Sequence, residues 1–319
     1  MLKFICKPCP IVVRPFGERE ILYAFHDIDG THSLIRNWPP VMSIVLDYVS
    51  RNGVPEGYDS EENALKLIDR AGTEPLPETD RFCVESAGLS ALTQMEWAIR
   101  RAIEAGIEKV PCDREDNRAK IDAIGSGEEV FANPDSPELA AFLETHTPRL
   151  FKFYERVLNG FCRDKNLEIA KTDPNRFIVK GSMEFLAKLR DAGVKNYFVT
   201  GAVVERGMGM WEEVETLGFR TGPGEIIEDI IGSTWTDKLP KDRIMTRLLN
   251  SLGADGHNVL VTGDGRAEIS AGVSMGALCL SRLGPDEDYK RALHKRLGTN
   301  IIVSDFTDPE LQQLMLSSR

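Results

Sequence analysis

An apolar, strand-forming run, Ile21-Leu22-Tyr23-Ala24-Phe25, stops at His26-Asp27-Ile28-Asp29-Gly30-Thr31, and this stop constrains the rest of the chain more than any other feature. Side chains alternate along a strand, so Asp27 and Asp29 fall on one side if the extended backbone persists that far. Gly30 allows a sharp turn that lifts the loop off a sheet. Two close carboxylates repel unless a shared proton or a bound cation compensates them. A hard cation such as Mg2+ takes oxygen ligands and bridges readily to a phosphate oxygen. An ordinary Asp-rich turn has the same composition, so the meaning of the stretch depends on what the chain brings to it from elsewhere.

The chain has 319 residues, 42% apolar and 28% charged, enough for two ordinary domains with a buried core. A formal charge of -11 disfavours nucleic acid or an anionic membrane as partner. It leaves room for a small phosphorylated molecule, because a bound cation reverses the local field. No uninterrupted apolar run approaches the roughly 18 residues of a membrane span. Lys7, Pro8, Pro10 and Arg14 break any signal-peptide core, so a cytoplasmic location is expected. The six cysteines are scattered, as suits reduced thiols, and Cys6 and Cys9 lack the second pair that a zinc site would want. Nothing in the sequence signals an oligomeric state.

Ile11-Val12-Val13, among prolines, reads as an extra strand at a sheet edge. From 34 to 177 the apolar period becomes helical. Val41, Ile44, Val45, Tyr48 and Val49 mark one helix, and Ala64, Leu65, Leu67 and Ile68 a second, capped by Asp59 or Ser60. Leu89 to Ile103 carries a third, ended by Gly106, and Leu139 to Leu158 a long fourth that Pro148 should kink or split. After Phe177 strands and helices alternate. Helices are expected at 181–192, 205–217, 286–297 and 308–317, and strands at 226–231, 276–280 and 300–303.

Three later segments repeat the pattern of an apolar strand delivering polar groups at its end. Tyr197-Phe198-Val199 ends in Thr200-Gly201. Val259-Leu260-Val261-Thr262-Gly263 ends in Asp264, with Glu268 one helical turn on. Between them, Asp237-Lys238-Leu239-Pro240-Lys241-Asp242 opens a helix that Gly253 ends. Short buried strands alternating with helices predict a mostly parallel, doubly wound α/β sheet. In such a sheet the ligand lies beyond the carboxyl ends of the strands, where these groups would converge.

Asp27-Ile28-Asp29-Gly30-Thr31 behind its strand resembles the DxDGT motif of the haloacid dehalogenase-like hydrolases, in the phosphatase and phosphomutase branch. The resemblance implies a Rossmann-like core, 1–33 with 178–319, and an inserted all-helical cap, 34–177. A helical lid of this kind can exclude water and select substrates. It further implies that Asp27 is the nucleophile forming an aspartyl-phosphate and that Asp29 is the acid/base. Thr200, Gly201 and Gly30 would hold phosphate oxygens. Mg2+ would be bound by Asp27, the Asp29 carbonyl and Asp264, with Glu268 reaching it directly or through water; the family more often has Asp at that position. The third-motif lysine is Lys241 or Lys238. Lys241 has the better spacing, 12 residues before Gly253 and 23 before Asp264. Lys238 resembles the Lys-Pro-x-Pro-Asp form, with Leu239 and Lys241 in place of its prolines.

The implied activity is that of a Mg2+-dependent phosphatase acting on a small phosphorylated metabolite. Alternatives are a beta-phosphoglucomutase-like phosphomutase and a non-catalytic phospholigand-binding module, which would be expected to have lost at least one of Asp27, Asp29 and Asp264. His26, pointing away from Asp27 by alternation, is expected to be a hydrogen-bonded packing residue, while His32 could reach the cleft between cap and core. Arg36 and Arg266 are candidate contacts to substrate charge.

Overall fold

The computed structural model describes residues 2–128, 136–235 and 239–317, in two compact units. The first comprises Met1–Ile35, Leu167–Thr234 and Leu239–Arg319, and the second Arg36–Asn166 and Trp235–Lys238. In chain order the first unit opens with strands β1 (Leu2–Phe4), β2 (Arg19–Ile21) and β3 (Tyr23–His26). The helices α1 (Trp38–Asn52), α2 (Glu61–Arg70), α3 (Pro77–Glu85), α4 (Ala91–Glu104), α5 (Arg114–Gly125) and α6 (Pro137–Leu158) follow. One π-turn, Asn159–Arg163, leads from α6 into α7 (Asp164–Ala170).

Thereafter come α8 (Ser182–Asp191), β4 (Lys195–Val203), α9 (Met210–Thr216), β5 (Asp229–Ser233) and α10 (Lys241–Ser251). The chain closes with β6 (Val259–Gly263), α11 (Arg266–Ser274), β7 (Leu278–Arg282), α12 (Asp288–Leu297), β8 (Ile301–Val303), α13 (Pro309–Leu314) and β9 (Met315–Ser317).

Six strands form an all-parallel sheet in the order β5-β4-β3-β6-β7-β8. The chain winds outward from β3 through β4 to β5, then crosses to β6 on the other side of β3. The strand order therefore reverses at β3, which places the ligand crevice at its carboxyl end. Alternation sorts the strand residues to two faces. Ala24, Leu260, Leu278 and Leu280 join one buried cluster, while Phe25, Val259, Val261 and Cys279 join another that includes Ile244 and Met245 of α10.

The excursion between β3 and α8 is clamped where it leaves and returns. Leu34 N–H donates to Phe177 O at 2.8 Å, Val179 N–H donates to His32 O at 3.1 Å, and Ser33 pairs antiparallel with Ile178.

In the second unit α4 is central, packing against α1, α5 and α6 with Leu92, Met95, Ala98, Ile99 and Ala102 buried. Ser60 caps α2, its side chain accepting from Asn63 N–H at 3.3 Å. Of the kink or split expected at Pro148, the split does not occur, for α6 runs through it as one helix of 22 residues. An interior proline costs about 3 kcal/mol. Leu143, Leu150, Phe153 and Val157 are buried along the same helix, each worth about 1.5–3 kcal/mol, and they offset it.

Three expectations for the first unit also need correction. The strand foreseen at 226–231 lies at Asp229–Ser233. Ile11 to Val13 makes a single antiparallel bridge, Val12 to Ile301, beside β8 rather than a strand. The helix foreseen at 308–317 stops at Leu314, and Met315–Ser317 pair antiparallel with β1, which also pairs with β2. Long-range pairing with Leu2 and Phe4, both fully buried, overrides the local helical pattern there.

Candidate active site

The β3 ladder extends one residue past the strand, with Asp27 N–H donating to Thr262 O at 2.8 Å. The backbone then folds on itself. Ile28 O accepts from the N–H groups of His32 and Ser33, both at 2.9 Å, and Gly30 N–H donates to Ser33 O at 2.8 Å. Gly30 has φ 78°, the left-handed region that glycine enters without strain. A Cβ there would lie 2.6 Å from Asp264 Oδ2. Glycine is thus required twice over, once for the turn and once for the close approach of the loop after β3 to the one after β6.

That approach gathers three carboxylates. Asp27, Asp264 and Glu268 each offer an oxygen, all within 4.8 Å of one another. Thr31 Oγ1 lies 3.2 Å from Asp27 Oδ2 and 3.4 Å from Asp264 Oδ1, so its one proton serves either carboxylate. Glu268, in the first turn of α11, folds back over Gly263, where a Cβ would collide with its Cγ. Its Oε1 accepts from Gly265 N–H at 2.5 Å and its Oε2 from Lys241 Nζ at 3.1 Å.

Lys241, the first residue of α10, is 4% exposed, and its Nζ donates to Asp27 Oδ1 as well as to Glu268. The other third-motif candidate, Lys238, lies outside the described residues. A second cation comes from α12, where Lys290 Nζ donates to Asp264 Oδ2 at 3.1 Å and pairs with Glu287 at 2.8 Å.

Ionised throughout, three carboxylates and two ammonium groups leave one negative charge, and the protonation equilibria reflect the crowding. Burial pushes the Asp27 carboxyl well above its usual range, and the charges of Glu268 and Asp264 add to this against the pull of Lys241. Burial would raise Glu268 too, but Lys241 and the backbone donors hold it below its usual value. For Lys241 burial opposes the charge, yet Asp27 and Glu268 outweigh it and the ammonium is held. A hard divalent cation fits this donor set. One oxygen from each of Asp27, Asp264 and Glu268 lies near enough to the others for the three to share such an ion.

The remaining expected residues are arranged as follows. Asp29 is half-buried and bridges through its backbone to Ser33, and its carboxylate is not one of the three in the cluster. Thr200 and Gly201 lie where the β4–β5 register shifts between Val199 and Val203. Such bulges re-aim side chains. The Thr200 oxygen accepts from Ala202 N–H at 3.1 Å, which leaves its O–H as a donor.

His26 is fully buried, its Nε2 3.2 Å from Asn196 Oδ1, and burial holds its imidazole near 4. His32 does not line a cleft. It is fully buried, stacked on Phe306 and hydrogen-bonded to Ser182, so the turn folds it inward. Arg36 pairs with Glu155 at 3.2 Å within the second unit. Sequence reasoning missed Lys290, Arg282 and the bridging role of Thr31. Arg282 ends β7 and donates to Gly30 O at 3.0 Å, fixing the loop from behind. An arginine closing an apolar strand was a usable signal, whereas Lys290 stands in a charged run with nothing to mark it.

Fold and site together define a doubly wound α/β protein with an acid cluster and a buried lysine at its switch in strand order. No family model matches the chain, and no curated protein does. Among solved structures it is similar to a phosphonoacetaldehyde hydrolase-like protein from Oleispira antarctica, at 13% identity and TM-score 0.49, over 97% of this chain and 96% of that one. It is also similar to a beta-phosphoglucomutase from Clostridium difficile, at 12% identity and TM-score 0.46, over 92% of this chain and 96% of that one. A HAD family hydrolase from Deinococcus radiodurans, solved with bound phosphate and sodium, aligns at 15% identity and TM-score 0.43, over 93% and 97%. At such identities the side chains at the strand ends remain the ground for any functional statement.

Proposed function

We propose that the chain is a haloacid dehalogenase-like phosphohydrolase that cleaves a small phosphate monoester through an aspartyl-phosphate on Asp27. The observation that carries this reading is the placement of Asp27 at the carboxyl end of β3, against Lys241, Asp264 and Glu268. A carboxylate is a weak nucleophile toward an anionic ester, and the arrangement compensates that repulsion with two cations and a cation-ready acid cluster. Mg2+, held by Asp27, Asp264 and Glu268 together with the Asp29 carbonyl, would supply Lewis-acid charge at the phosphoryl oxygens.

The chain's own groups do the rest. Asp27 attacks phosphorus in line, while Lys241 holds its attacking oxygen and offsets charge gathering on the transferred group. Thr200 O–H and the loop N–H groups orient the phosphoryl oxygens. Asp29 protonates the leaving oxygen, then takes a proton from the water that cleaves the aspartyl-phosphate.

The test is release of inorganic phosphate from a panel of phosphorylated metabolites, with Mg2+ and with chelator, in wild type and Asp27→Asn. The expected result is Mg2+-dependent release that falls to background in the variant. Release that persists in Asp27→Asn removes the nucleophile from the scheme. Phosphoryl transfer to a sugar without release would make the enzyme a mutase.

A further inference from the structure

A second concave site, of about 190 Å3, is lined by Arg14, Phe16, Arg19, Val273, Gly298 and Asn300. Asn300 immediately precedes β8, and Gly276 and Ala277, also at its wall, precede β7. The pocket therefore opens at the amino ends of these strands, whereas Asp27 and Asp264 follow the carboxyl ends of β3 and β6. The five residues of β7 put about 17 Å of strand between the two levels.

Its polar lining is cationic. In a chain with 50 acidic residues against 39 lysines and arginines, neither Arg14 nor Arg19 has a carboxylate partner among the described residues. Arg14 Nη1 donates to Gly298 O at 3.3 Å, and Arg19 Nη1 donates to Gly276 O at 3.0 Å and to His257 Nδ1 at 2.6 Å. Gly298 is the C-cap residue of α12, and Gly276 lies in the turn just past the C-cap of α11, so each arginine sits at the carboxyl-terminal side of a helix. These bonds use one nitrogen of each guanidinium, out of five N–H donors apiece. The Nε of Arg19 is buried and has no hydrogen-bond partner among the described residues. Two helix ends contribute about -0.5 charge each against two full positive charges, so the pocket keeps roughly one net positive charge.

We propose that Arg14 and Arg19 form a binding site for a tetrahedral oxyanion, a phosphate group that is free or carries a short organic substituent. Guanidinium forks match such oxygens and form charge-assisted hydrogen bonds with them. At about 30 Å3 per water the pocket holds roughly six waters, room for a phosphate and a short substituent. Phe16 and Val273 give that substituent an apolar wall. The proposal stands apart from the activity assigned to Asp27.

Hydrogen–deuterium exchange on the full chain, in chelator with inorganic phosphate added, separates the two sites by position. Slowed exchange is expected in 14–19, 273–277 and 298–300, whereas phosphate at the carboxylate site would slow 27–33 and 200–203. No change in the first set at the highest soluble phosphate concentration overturns the proposal. Titration of that signal should weaken about tenfold or more in Arg14→Gln and in Arg19→Gln, the worth of a lost charged hydrogen bond. An unchanged affinity in both also overturns it. Arg14 is exposed, so its variant reports even if Arg19→Gln loses its bond at the helix end and fails to fold. Tighter binding of glycerol phosphate than of inorganic phosphate would identify a substituted phosphate as the ligand, and equal binding the free ion.

Discussion

Lys241→Met is the most informative single change, because it removes a buried cation and leaves its neighbours in place. Lys241 is 4% exposed and serves both Asp27 and Glu268. Without it, three carboxylates within 4.8 Å lose their buried cation and keep the ion pair of Asp264 with the partly exposed Lys290. Breaking a buried pair from one side costs about 3–5 kcal/mol, on the order of 10 °C in Tm for a domain of this size.

The cost depends on pH. In the wild type the lowered Glu268 contributes stability that is present above the unfolded carboxyl pKa and lost as pH falls through the folded one. Lys241 is held above its usual value, so its contribution persists at all pH below that value and is lost only in strong alkali. In the variant the backbone donors to Glu268 remain but both contributions of Lys241 are gone, and burial, the largest influence, is expected to outweigh the donors and raise the carboxyl. The folded state then binds protons more tightly than the unfolded state, and stability rises as pH falls. Thermal unfolding at pH 5 and 7.5, with and without Mg2+, checks this. The wild-type advantage should be largest at pH 7.5 without metal and shrink at pH 5 or when Mg2+ occupies the cluster. A difference independent of pH and of Mg2+ would refute the electrostatic account. Turnover should also fall by at least about 10²-fold, the scale of a lost preorganised donor.

Asp29→Asn should slow cleavage of alkyl phosphates by about 10²–10⁴-fold and of p-nitrophenyl phosphate much less in phosphoenzyme formation. Equal losses in rapid-mixing kinetics would take the acid role from Asp29. Asp264→Ala should raise the Mg2+ concentration needed for half-maximal rate, with excess Mg2+ restoring part of it. An unmoved Mg2+ titration would place the metal elsewhere. Gly30→Ala forces a side chain into a φ of 78° and its Cβ to 2.6 Å from Asp264 Oδ2. The backbone term alone is about 1–2 kcal/mol, so Tm and turnover should both drop, and a variant indistinguishable from wild type would mean that the loop has room to yield.

Much of the core could be read from the chain because its signals are local. An apolar strand ending in Asp27 or Asp264 carries both its burial and its chemistry in one short segment, and β3, β6 and their turns lie where that pattern puts them. The inward fold of His32 was not legible, because it depends on Phe306 and Ser182, far away in sequence. Met315–Ser317 read as helix for a similar reason, since their partner strand is at the other end of the chain. Lys290 sits among Asp286, Glu287, Asp288 and Arg291, where composition alone marks a solvated face. Its pairing with Glu287 is local, whereas its contact with Asp264, 26 residues away, comes from the fold.

The clamp at Ser33 and Ile178 bears on the entropy of the chain. Thermodynamically, everything between these two residues is one loop hung on two adjacent hydrogen-bonded segments of the core. Closing a flexible loop costs about (3/2)RT ln n, so roughly 140 residues cost only about 3 kcal/mol more than a four-residue turn. The two ends of the excursion belong to the core, for Ile35, Leu167, Ala170 and Phe177 pack with Ile28 and Phe198 in one of its buried clusters. Its six parallel strands should assemble from a chain in which a short turn joins Ile35 directly to Leu167.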